Sequence, residues 1–151
     1  MMKSKRFEPI QEIASTSARD LSRAMGEAGR KVSDLESQLK QLHAYRDEYV
    51  RTSTQSTGTI DAVKLQNYRS FLERIGDAMR QHLKSLDNAR AEYERRRALW
   101  SEKRIEAESL GLAVDRFRKE ERRAADRREQ HEGDDAALRI SMAARSEAGN
   151  L

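Results

Sequence analysis

Apolar side chains recur along this chain at alternating steps of three and four residues, in two long runs. The first reads Ala14, Ala18, Leu21, Met25, Ala28, Val32, Leu35, Leu39, Leu42, Arg46, Tyr49. The second reads Leu65, Tyr68, Leu72, Ile75, Met79, His82, Leu86, Ala89, Tyr93, Arg96, Trp100, Lys103, Ala107, Leu110, Val114, Phe117. Only Arg46 interrupts the first run, and His82, Arg96 and Lys103 the second. A 3.5-residue repeat keeps one stripe of a helix turned toward one partner helix. The pattern predicts an all-α fold, an antiparallel two-helix coiled-coil hairpin with flexible termini.

The breaks in the pattern set the expected boundaries. Residues 1–8 read as a flexible basic tip, and Pro9 suits the first turn of a helix, where its missing N–H costs nothing. Helix one is expected over about 9–51. The segment TSTQSTGT, residues 52–59, holds only hydroxyl, amide and glycine residues, which compete with helical hydrogen bonding and favour a loop. Thr59 is expected to cap helix two, with Asp61 favoured in the first turn by the helix dipole. Helix two is expected to run over about 60–132 and to stop at Gly133, leaving 133–151 as a polar tail. A short loop makes the helices antiparallel neighbours. Matching the seams pairs Leu42 with Leu72, Leu35 with Met79, Ala28 with Leu86, Leu21 with Tyr93 and Ala14 with Trp100. In that register Ala107, Leu110, Val114 and Phe117 outrun helix one and have no partner in their own chain.

Composition narrows the function classes. With 36% hydrophobic, 5% aromatic and 37% charged residues, there is too little apolar material for a layered core but enough for a two-stranded seam. The absence of cysteine removes disulfides, thiolate metal sites and cysteine nucleophiles. No apolar stretch is long enough to span a membrane, and the N-terminus lacks the apolar segment of a signal peptide, so no direct membrane insertion and a cytoplasmic location are expected. His43, His82 and His131 are far apart, and Gly26, Gly29, Gly76 and Gly111 are isolated within helices. No metal-binding or phosphate-binding motif results. A thin hairpin offers no enclosed site for a reaction. The reading is a binding or structural protein with no enzymatic activity, no cofactor and no metal.

Two features remain. Residues 116–128 hold seven basic and three acidic side chains, a local charge of +4 equal to that of the whole chain. Such a run suits nucleic acid or an acidic protein surface. Without interleaved aromatics for base stacking, a solvated helix face is the simpler account and nucleic acid is disfavoured. The second feature is a pair of stripes spaced four, three and four residues apart: Gln38, Leu42, Tyr45 and Tyr49 on helix one, and Phe71, Ile75, Ala78 and His82 on helix two. Each shares two members with its seam and adds two beside it. Tyr45 and Phe71 either anchor a protein interface or merely widen the seam.

The segment YRDEYVR (45–51), the polar loop after it, LQNYRSFLERIGDAMRQH (65–82), and Trp100 with Glu102, Lys103 and Arg104 resemble the flagellar FliJ family. The resemblance covers about residues 10–120, and Ile75 stands where leucine is usual. It implies a coiled coil of the flagellar type III export apparatus, similar to the stalk of rotary ATPases. The implied partners are the hexameric flagellar export ATPase, the large membrane subunit of the export gate, and export chaperones. The implied location is peripheral, at the inner membrane face of the flagellar basal body. In such a protein Gln38, Leu42, Tyr45, Tyr49, Phe71, Ile75, Ala78 and His82 would contact the gate. The alternative is a basic coiled coil that binds nucleic acid, or a generic structural spacer.

Overall fold

In a computed structural model, which describes residues 2–55 and 61–149, the chain folds as two long helices packed antiparallel. Helix α1 spans Lys3–Thr54 and α2 spans Ala62–Gly149; no strand occurs among the described residues. The chain divides into two compact units, one formed by Ser17–Lys103 and the other by Met1–Thr16 with Arg104–Leu151.

Within Ser17–Lys103 the heptad seam is the core. Ala28, Ile75, Leu86 and Ala89 are buried. Leu21, Met25, Val32, Leu35, Leu39, Leu42, Leu72 and Met79 are half-buried, as a seam one side chain thick requires. The polar interruptions find partners across it. Arg96 donates from Nη1 to the Ala24 carbonyl at 2.9 Å and from Nε to Glu92 at 2.9 Å. Hydrogen bonds from Arg95 and then Arg96 hold the Glu92 carboxyl below its usual range. His82 Nε2 lies 3.2 Å from Gln38 Oε1.

These contacts correct the expected register. Tyr93 packs on Gly29, where a Cβ would stand 3.4 Å from its Cε2, rather than on Leu21. His82 faces Gln38 rather than residue 32. A heptad pattern fixes which face is apolar, but a slip of a whole heptad preserves that face. The Tyr93 ring over Gly29 and the polar pairs mark the register, since seam polar groups need partners. Leu65, expected in the seam, is 39% exposed.

In the other unit, the seam expected to lack a partner is covered. Ala14, Ala107 and Val114 are buried, and the Phe7 and Phe117 rings lie 5.3 Å apart. Lys3 Nζ sits 5.7 Å over the Phe117 ring. Two causes combine: the heptad shift carries α1 further along α2, as Gln11 beside Gly111 shows, and α1 begins at Lys3, not Pro9. The first turn of α1 has no acidic residue of its own, so its orphan N–H groups need another acceptor. Glu121 of α2 supplies it, taking the Ser4 N–H at 3.1 Å and the Ser4 hydroxyl at 2.6 Å. Ser4 is 4% exposed, and these bonds hold the Glu121 carboxyl below its usual range. Glu8 accepts from Arg118 Nη2 at 2.8 Å, which raises the guanidinium pKa further. Residues 3–8 are therefore helical and packed, not a flexible tip.

The other helix ends also shift. Helix α1 runs to Thr54 rather than ending at Arg51, and there Thr52 and Thr54 donate back to the carbonyls of Glu48 and Val50. Asp61, not a dipole-stabilised first-turn residue, is the cap of α2, accepting the Lys64 N–H at 2.7 Å. The Thr59 cap and half of the expected loop, residues 56–59, fall outside the described residues. Gly133 does not stop α2: no described glycine has positive φ, and the helix runs to Gly149. Every described residue from 125 onward is exposed.

Candidate partner-binding surface

A helix turns 100° per residue, so residues one heptad apart share a face. Gln38 and Tyr45 on α1, with Phe71 and Ala78 on α2, consequently stand along one flank of the seam. Leu42, Tyr49, Ile75 and His82 are the seam members beside them. The structure brings most of the two stripes together. The Tyr45 ring meets Phe71 edge-on, with centroids 5.5 Å apart and planes at 72°. Phe71 packs on Tyr49 at 3.8 Å. Gln38 and His82 share the hydrogen bond already described.

The members differ in what they present. Tyr45 is 58% exposed, with its ring against Phe71. Gln38 is exposed; Leu42, Tyr49, Phe71, Ala78 and His82 are half-buried. Ile75 is 6% exposed and belongs to the core. Its side chain supports the surface from below. Tyr68, absent from the stripes, stacks on Tyr49 at 5.9 Å with an interplanar angle of 13°. Its place in the second seam, one helical turn from Phe71, was the signal that could have included it. The result is a four-ring aromatic cluster with Tyr45 at its rim. An exposed aromatic held rigid by buried neighbours loses little freedom on binding, which is how interface anchors gain their energy.

No three His, Cys, Asp or Glu side chains gather as a metal-binding group among the described residues. No described helix is long and apolar enough to cross a membrane.

The sequence profile of the family described as Flagellar FliJ protein matches residues 2–146. The chain belongs to the flagellar FliJ family. A Flagellar FliJ protein of Salmonella typhi is 26% identical over 137 residues, covering 90% of this chain and 93% of its own. A Flagellar FliJ protein of Escherichia coli K12 is 27% identical over 135 residues, covering 88% and 91%. No solved structure matches. FliJ membership makes the chain a component of the flagellar export apparatus.

Proposed function

We propose that this FliJ-family chain is a stalk-like coupling element between the hexameric export ATPase and the large membrane subunit of the export gate. It also assists the cycling of export chaperones. It acts peripherally, at the inner membrane face of the flagellar basal body. The gate binds the flank carrying Gln38, Leu42, Tyr45, Tyr49, Phe71, Ala78 and His82, with Ile75 holding the backbone beneath them. The ATPase engages the first turns of α1 and the late part of α2. There Lys5, Arg6, Arg122, Arg123, Arg127 and Arg128 are exposed. A polar, positively charged surface of that kind suits an acidic protein partner.

The observation that carries the gate assignment is the state of Tyr45: more than half exposed, yet fixed against Phe71. A ring that served only to widen the seam would be covered. The test measures binding of the purified cytoplasmic domain of the gate subunit to wild type, Tyr45→Ala and Phe71→Ala. Tyr45→Ala is expected to retain wild-type helicity and lose about 2 kcal/mol of binding, roughly thirtyfold. Phe71→Ala is expected to lose binding as well, with some loss of stability through Tyr49. Unchanged binding by both variants removes the assignment.

A further inference from the structure

Residues 3–8 are helical in spite of their own sequence. Lys3, Lys5 and Arg6 place positive charge at the positive end of the α1 dipole, where acidic residues are favoured. Pro9 then stands inside the helix. Its nitrogen carries no hydrogen, so the Lys5 carbonyl lacks the donor that a helix supplies four residues on, and the pyrrolidine ring crowds that carbonyl. Glu8, as the residue before a proline, is biased away from helical angles. A helix propagates because each added residue gains a hydrogen bond. At Pro9 that gain is missing, so the pairing of Ala14 and the residues after it does little to keep the first turns helical.

Contacts with α2 supply what the local sequence does not. Glu121 grips Ser4 at its N–H and its hydroxyl. The Phe7 ring meets Phe117, and Lys3 lies over the same ring. Arg118 reaches Glu8, but that pair is exposed on both sides and adds little. All of these contacts lie on the N-terminal side of Pro9. On its other side Ala14 is buried without them. A short segment is thus held by one patch of α2 and divided from the rest of its helix by a residue that interrupts the hydrogen-bond ladder.

We propose that residues 3–8 are a latch hinged at Pro9, which opens from α2 as a unit while α1 from Glu12 onward stays paired. Opening bares the Phe117 ring and releases Glu121 and Arg118. Closing restores the Ser4 clasp and the ring contact together, because a six-residue segment that has lost one of them cannot hold its helical turns alone. The latch differs from an ordinary frayed end in having a sharp boundary. Fraying fades residue by residue along a helix, whereas a latch gives the amides before Pro9 one shared opening and leaves those after it closed.

Native-state hydrogen exchange of the full-length chain, resolved at single amides by NMR, tests this. The probes before the hinge are the Ser4 amide, bonded to Glu121, and the Arg6 amide, bonded to the Met2 carbonyl; the probes after it are Glu12 and Ala14. In wild type, Ser4 and Arg6 are expected to show similar protection factors, with those of Glu12 and Ala14 about a hundredfold higher or more. Pro9→Ala, which restores the missing donor at an exposed position, is expected to raise protection at Ser4 and Arg6 by about tenfold or more. Glu121→Ala is expected to bring Ser4 and Arg6 down to the level of an unfolded chain and leave Ala14 unchanged. A smooth rise in protection from Arg6 to Ala14, or a Pro9→Ala variant with unaltered protection, overturns the hinge. Loss of protection at Ala14 in Glu121→Ala overturns independent opening, and no protection at Ser4 and Arg6 in wild type overturns the closed latch.

Discussion

Leu83 and Leu86 stand three residues apart on α2 and are identical in chemistry, yet their surroundings predict opposite consequences of truncation. Leu86 is 2% exposed, the most buried apolar side chain described, while Leu83 is 48% exposed. Leu→Ala at a buried site removes transfer free energy at about 0.8 kcal/mol per methylene and adds a cavity term, giving 2–5 kcal/mol in total. A seam one side chain thick can settle inward more than a globular core, so Leu86→Ala is expected near the lower end, about 2–3 kcal/mol. At Leu83 roughly half of the transfer term and no cavity applies, so the expected loss is about 1 kcal/mol or less. Urea unfolding followed by circular dichroism at 222 nm measures both. For a chain of this size the Leu86 variant should melt roughly 5–10 °C below wild type. The denaturant slope should stay unchanged in both variants, since neither alters the surface exposed on unfolding. Equal losses, or a larger loss at Leu83, would refute the seam assignment and the exposed position of Leu83.

Two further outcomes test the register and the helix start. Because the chain has no cysteine, a Gln38→Cys, His82→Cys pair should be bridged within one chain by a short thiol-reactive crosslinker, whereas Val32→Cys with His82→Cys should not; the reverse result, read by gel mobility, would restore the unshifted register. Glu121 titrates below the ordinary carboxylate value of 4.5 because Ser4 donates to it twice. A depressed folded value means its stabilisation is complete above 4.5 and is lost as pH falls through the folded value. Ser4→Ala should move the Glu121 carboxyl titration, followed by NMR, up toward 4.5; an unmoved titration would mean that Ser4 does not hold the carboxylate.

The seam was legible because burial in a two-helix fold follows sequence period alone. Ala14, Ala28, Ile75, Leu86, Ala89, Ala107 and Val114, all buried, were each marked by the three-four spacing. The heptad register was not legible, because a repeat looks the same after a shift of one period. It is set by local exceptions to the repeat, Gly29 under Tyr93 and Gln38 with His82, whose partners only the folded chain reveals. The start of α1 was hidden for a related reason. Ser4 and Glu121 are ordinary polar residues until they meet, and the cap lies on the other helix. The aromatic flank was half legible: spacing selected Tyr45 and Phe71, but only burial separates the exposed Tyr45 from the enclosed Ile75.

The borrowed cap on α1 bears on the order in which the chain folds. Its acceptor lies 117 positions later in sequence, so a nascent chain leaving the ribosome carries an α1 whose first turn waits until Glu121 has been made. The contacts of Tyr45 and Tyr49 with Phe71 and Tyr68 close far shorter loops and carry a smaller entropic cost. Assembly therefore zips from those rings outward, and the Ser4–Glu121 clasp is among the last joints to close. A truncation that removes Glu121 leaves the ring cluster intact while uncoupling the opening turn of α1. That makes the clasp a check that the chain has been made at least as far as Glu121.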